Sequence, residues 1–141
     1  MEFMRVSLVA LILLLASCGK APAGGVLPLA KVLVDPESCA GSEVVVSGFL
    51  GKAGHLQLFL TKEHWEMIDF GSSIGIVYPE GNEQFIEQEC KNTYVTITGV
   101  VTKLSDPRFK NINIVHAFRL SDIKSILKVD ASGKRIECWP Q

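Results

Sequence analysis

The chain has 141 residues, 14 Lys and Arg against 15 Asp and Glu, and a formal net charge of −1. A balance so close to zero argues against a dedicated nucleic-acid binder. Once the leader described next is removed, the length suits one domain, able to bury about two-thirds of its unfolded surface. Charge is nevertheless uneven along the chain. Acids dominate from Asp35 to Glu89, opposed only by Lys52 and Lys62; bases dominate from Lys103 to Arg135, among them Arg108, Lys110, Arg119, Lys124, Lys128 and Lys134. The expectation is that the two halves neutralise each other on one folded surface. A basic patch facing anionic lipid or a polyanion is the alternative.

The N-terminus opens with Met1-Glu2-Phe3-Met4-Arg5 and continues as an apolar run from Val6 to Ala16 broken only by Ser7. That run is too short to span a membrane, which takes about 20 apolar residues. A basic flank and a short apolar stretch match a secretory signal. The run ends in Leu15-Ala16-Ser17-Cys18, which resembles the lipobox of bacterial lipoproteins position for position. The resemblance implies cleavage before Cys18, acylation of its thiol and amine, and anchoring by several chains, which makes membrane attachment stable. The mature domain would then sit on a membrane without crossing it. Gly19 follows the cysteine, where aspartate would resemble an inner-membrane retention signal, so the resemblance points to the periplasmic face of the outer membrane. Residues 1–17 are expected as the leader and 18–27 as the tether, since Lys20 to Gly25 are small and polar. A domain over 28–130 and a tail over 131–141 are expected to follow.

Pro28 suits the first helical position before Leu29 to Leu33, and Asp35-Pro36 ends that segment. Val44-Val45-Val46 before Ser47-Gly48-Phe49-Leu50 is a β-branched run closed by glycine. Leu56, Leu58 and Leu60 alternate with His55, Gln57 and Phe59, the period-two pattern of a half-buried strand. Ile74 to Tyr78 is a short third strand ended by Pro79. Asn82 can cap a helix from Glu83 through Phe85 and Ile86 to Glu89. Val95, Ile97 and Val101 define one face of a fourth strand, with Thr96 and Thr98 on the other. Ile112, Ile114, His116, Phe118 and Leu120 line one face of a fifth. Ser121 can cap a last helix, Asp122 to Lys128, that buries Ile123, Ile126 and Leu127.

Three strands, a helix and two strands, flanked by short helices, make a mainly β chain in the order of the OB-fold, a five-stranded Greek-key barrel. Asp35-Pro36-Glu37, Gly41, Val44, Val46 and Gly48, then Ile74 and Tyr94-Val95-Thr96-Ile97-Thr98-Gly99, resemble small bacterial lipoproteins with an OB-fold-like domain. Cys39, Val44, Val46 and Gly48 also share their spacing with Cys90, Val95, Ile97 and Gly99. These are strand and turn residues, so they speak to fold rather than function.

Export permits disulfides, and three cysteines remain once Cys18 is lipidated, enough for one bridge and a remainder. In an antiparallel barrel the end of the fifth strand returns to the start of the fourth. Cys90 and Cys138 then fall at one end and Cys39 at the other, which favours a Cys90–Cys138 bridge. Zinc sites bring a pair of ligands two to four residues apart; none of these thiols has such a neighbour, so no metal or other cofactor is expected.

His55, His64 and His116 are the only histidines. His116 alternates with apolar residues and is expected inside. Phe70-Gly71-Ser72-Ser73 lacks a nucleophile elbow, and Gly51-Lys52-Ala53-Gly54 lacks a phosphate loop and suits a hairpin turn. Glu63, Glu66 and Asp69 are clustered acids of a kind common in solvated loops, whereas a glycosidase needs two facing carboxylates. The expectation is therefore a non-enzymatic module. Phe59, Trp65, Phe70 and Tyr78 could stack bases, but their region is acidic, against nucleic acid as partner. Two readings remain. In the first, a lipid-anchored periplasmic module docks an envelope protein through a sheet face or the loop from Thr61 to Ser73, with Trp65, His64, Glu63 and Phe70 as contact residues. In the second, Trp65 and nearby acids bind a small saccharide or a peptidoglycan fragment.

Overall fold

A computed structural model describes residues 26–104 and 117–140. The leader, Cys18, nearly all of the tether, and Ile112, Ile114 and His116 lie outside those residues. The elements run β1 Leu27–Pro28, α1 Leu29–Val34, α2 Pro36–Cys39, β2 Glu43–Ala53, β3 His55–Phe59 and α3 Lys62–Glu66. A 3-10 turn Phe70–Ser72 follows, then β4 Ser73–Ile76, α4 Glu83–Cys90, β5 Thr93–Lys103, β6 Phe118–Val129 and β7 Arg135–Trp139.

Five of these strands close on themselves. β2 pairs with β3, β3 with β4, β4 with β6, β6 with β5, and β5 returns to β2. Only the β4–β6 pair is parallel within that ring. This is the OB-fold-like barrel expected from the order of elements, with α4 between its third and fourth strands. Closure removes the sheet edges that would otherwise template aggregation. Outside the ring, β1 lies parallel to β2 with Leu27 opposite Val46. Leu27 is buried there, so the sheet begins inside the segment read as tether.

β2 carries the closure because it holds two partners at once. Glu43 to Leu50 pair with β5, while Phe49 to Ala53 pair with β3. Gly48 stands where the β3 ladder begins. A Cβ there would stand 2.5 Å from the Phe59 carbonyl oxygen and 2.9 Å from Leu58 Cγ. Inward residues of β2, β3 and β5, namely Val44, Val46, Leu50, Leu56, Leu58, Val95 and Ile97, form one cluster with Leu29 and Val32 of α1 and Ile86 of α4. Burying each such side chain contributes about 1.5–3 kcal/mol. The spacing echo is realised here, since Val46 faces Ile97, Val44 faces Gly99 and Gly48 faces Val95 across the β2–β5 ladder.

β3 departs from the half-buried pattern, because Leu56, Gln57, Leu58 and Phe59 are all buried. The segment from Asp122 to Lys128 is a strand and not the helix that Ser121 was expected to cap. Between Thr98 and Val100 on β5 the partner residues on β6 jump from Ser125 to Ser121, an irregularity at which Asp122 takes φ 46°. Extra residues at this bulge shift the alternation of the strand. Phe118, Leu120, Ile123 and Ile126 all turn inward, and the three-residue steps among them imitate a helical period. Gly99 makes room for the bulge, as a Cβ there would meet Ile123 Cδ1 at 2.8 Å.

The segment read as a tail supplies β7, which pairs with Ile126 to Val129 of β6. Cys138 of β7 meets Cys90 at the end of α4, with S–S 2.25 Å and Cα–Cα 5.7 Å, the pairing expected from barrel geometry. Tyr78 also holds α4, its hydroxyl donating to Glu87 Oε1 (2.8 Å) while Lys52 Nζ pairs with Glu87 Oε2 (3.0 Å). Burial, and then the Glu87 carboxylate, raise the Tyr78 pKa above its ordinary value, so the hydroxyl stays a donor across the physiological range. Cross-half ion pairs Lys103–Glu37 and Lys124–Glu43 bring bases of the second half onto acids of the first. They are exposed and worth little each.

Substituting Gly48→Ala should lower stability by about 1–3 kcal/mol, the usual cost of overpacking, because the clash is with backbone. Equilibrium urea unfolding measures it, and an unchanged midpoint would refute the role given to Gly48.

Candidate interaction site

The loop from Thr61 to Ser73 joins β3 to β4. Thr61 starts α3 with its hydroxyl oxygen accepting from the His64 backbone N–H (3.4 Å), and that oxygen also lies 2.8 Å from His64 Nδ1. Asp69 organises the far end. Its Oδ1 accepts from the Gly71 N–H (3.2 Å) and its Oδ2 from Ser72 Oγ (2.7 Å). Between these caps the chain exposes Met67 and Ile68 at 70% and 58%.

The loop is fastened to the outer face of β2. Phe49, Gly51, Gln57, Phe59, Gly75 and Arg119 share that face by register. Gly51 leaves it bare, and the Trp65 ring occupies the space, so near that a Cβ on Gly51 would lie 2.4 Å from Trp65 Cδ1. Trp65 Nε1 donates to the Lys52 carbonyl (3.2 Å), and the ring packs tilted against Phe49 with centroids 5.2 Å apart. Phe49 in turn meets the edge of Tyr94 at 5.3 Å, and the Tyr94 hydroxyl oxygen accepts from the Lys62 N–H (3.1 Å). Aromatic pairs of this kind contribute about 0.5–1.5 kcal/mol beyond their burial. Trp65 is thus the bolt that holds α3, and its polar handle is already engaged.

The four residues singled out from sequence do not converge on one cleft. Trp65 turns onto the barrel, His64 turns back to Thr61, and Phe70 is half-buried in the 3-10 turn. Glu63 is exposed. Its own backbone N–H, then the Thr61 hydroxyl, hold its carboxyl below the ordinary range. Glu66 pairs with Lys62 (3.5 Å) and Asp69 is spent on its cap. An open cleft of 310 Å³ beside the loop is lined by Lys52, Ala53, Trp65, Glu66 and Ile68. Sequence reasoning passed over Met67 and Ile68, although two large apolar residues directly after Trp65-Glu66 in a polar loop are a visible signal.

Ile68 is the unusual member. It holds φ 53°, a left-handed conformation that is a genuine outlier for a β-branched residue. Such strain persists where surrounding structure enforces it, and it concentrates at functional sites. Here the Ile68 N–H donates to the Trp65 carbonyl (3.0 Å) and the Asp69 N–H to the His64 carbonyl (2.8 Å), which fixes the reversal on both sides.

Further along the same outer face, Gly75 is overlain by Arg119, whose Cδ would lie 2.5 Å from an added Cβ. Buried Ser73 Oγ donates to Gln57 Oε1 (2.6 Å). Among the described residues no three His, Cys, Asp or Glu side chains are grouped to hold a metal. Compared with protein-family models, characterised proteins and solved structures, the chain matches none.

Partial burial, and then the positive charge of Arg119, lower the His55 pKa below 6.5. A folded-state value below the unfolded one favours the neutral ring. The His55 contribution to stability is therefore complete above the unfolded value and declines as pH falls through it toward the folded value. An NMR titration should place the His55 midpoint below 6.5, and Arg119→Gln should raise it part of the way back. A midpoint unmoved by Arg119→Gln would remove the guanidinium as a cause.

Proposed function

We propose that this protein is a non-enzymatic interaction module of the cell envelope, tethered by lipid at Cys18, that docks a protein partner through the tip of the loop from Thr61 to Ser73. The observation that carries this reading is the pair Met67 and Ile68, both largely exposed beside a cleft that Trp65 helps to line. Large apolar side chains held out on a fixed turn lose solvent contact only when something covers them. The turn is already ordered by Trp65 and Asp69, so docking costs little further conformational entropy.

A saccharide site centred on Trp65 has less in its favour. Its indole N–H is bound to Lys52 and its ring packs on Phe49; a sugar would compete for both. The lipid anchor rests on the lipobox resemblance, and it gives the module its address.

Feeding cells a clickable palmitate should label the full chain, and Cys18→Ala should abolish labelling and release the protein from membranes. Retention of label in Cys18→Ala would overturn the anchor.

A photoreactive residue at Met67, activated in cells, should capture one dominant protein. Ile68→Gly is the matched probe, since glycine accepts φ 53° without steric cost. It should weaken capture while stability is unchanged or rises by about 1 kcal/mol. Undiminished capture by Ile68→Gly, or recovery of glycan alone, would sink the loop-tip reading.

A further inference from the structure

The protein has two tryptophans, and they are used in opposite ways. Trp65 spends its N–H on a backbone carbonyl and its ring on Phe49. Trp139, at the end of β7, packs partly on the barrel core. Among the described residues its indole N–H has no hydrogen-bond partner, and neither its ring nor that of Phe85 makes a ring contact. Both rings nevertheless line one cleft of 370 Å³, together with Asn82 and Pro140. That volume lies within the range of small-ligand sites, about 300–1,000 Å³.

The walls are held by the fold, not by the cleft itself. Cys138, next to Trp139, is bridged to Cys90 at the end of α4, and Trp139 lies opposite Ile126 on β6. Phe85 precedes the buried Ile86 on α4. Asn82 Nδ2 donates to the Glu80 carbonyl (3.0 Å), which orients the amide and leaves its oxygen as acceptor. Among the described residues, those lining the cleft include no ionisable side chain. Two aromatic residues without a ring partner, one unpaired indole donor and one amide acceptor, all on residues that line the cleft, point to a specific ligand chemistry. It is a flat ring with apolar C–H faces and hydroxyls at its edge, able both to accept and to donate. A charged ligand would leave its charge unpaired there.

We propose that the cleft between α4 and β7 is a binding site for a neutral saccharide, with a pyranose ring against Trp139 and Phe85. Trp139 Nε1 donates to a ring substituent and Asn82 Oδ1 accepts from a hydroxyl. The site is separate from the loop tip and stands or falls independently of it.

The test is titration of the ¹⁵N-labelled full chain with the neutral disaccharides cellobiose and N,N′-diacetylchitobiose, following the two indole N–H resonances. The Trp139 indole should shift saturably while the Trp65 indole stays in place. Asn82→Ala makes a clean variant, because Asn82 gives α4 no side-chain cap, and it should weaken binding about three- to tenfold, as loss of one hydrogen bond does. Trp139→Phe keeps an aromatic face and loses the donor, and it should weaken binding similarly with an unchanged circular-dichroism melt. Saturation unaltered in Asn82→Ala, a shift at Trp65 only, no saturable shift with either sugar, or a response to a proline-rich peptide instead would each overturn the proposal.

Discussion

The architecture depends on one strand that holds two partners at once. β2 must ladder with β5 over its first half and with β3 over its second; without that exchange the sheet stays open. Where the β3 ladder begins, the Phe59 carbonyl and the Leu58 side chain press onto the backbone at Gly48, and even a methyl group there would collide. Everything else inherits its place from the closure. α1 and α4 plug the interior, β1 fills the stretch of β2 that β3 leaves, and the outer wall presents Gly51 and Gly75 as bare patches. The two patches are covered differently, one by a tryptophan that anchors a loop and the other by an arginine.

A second constraint acts at the opposite side of α4. Tyr78, Glu87 and Lys52 fix the helix to the ends of β4 and β2, and the cysteine pair fixes its last residue to β7. The helix is short, and helices of that length are marginal alone. Tertiary fastening therefore determines where Phe85 and Asn82 stand. The loop from Thr61 to Ser73 is fastened by the same logic, with Trp65 over Gly51. In both places rigidity comes from residues that face the barrel, leaving neighbours in the chain to face outward.

Much of the fold was legible because local and global signals agree. β-branched runs, glycine punctuation and Asn82 before α4 placed four of the barrel strands and the helix between them. The start of β6 was read as strand, but its stretch from Asp122 to Lys128 was misread as a helix because the bulge at Asp122 converts a period of two into steps of three, a change that depends on Gly99 in the neighbouring strand. β7 carries Ile136 and Trp139 among charged residues and gives little pattern of its own; only its pairing and Cys138 make it a strand. The site was harder to read. Trp65 was conspicuous as an exposed aromatic in a loop, yet the glycine beneath it, fourteen residues earlier on β2, turns it into a structural anchor. Ile68 was visible as an apolar residue in a polar loop, but its left-handed backbone leaves no trace in residue type.

The link between Cys90 and Cys138 spans 48 residues and encloses β5 and β6 in a covalent ring. The ring can be sealed only when β7 has been synthesised, so the barrel cannot be locked until Cys138 has emerged. Once sealed, it makes the molecule tolerant of scission. A peptide bond cut anywhere between the two cysteines leaves both fragments joined, and they separate on a gel only after reduction. A protease that nicks this half of the chain would change its connectivity without dispersing its parts.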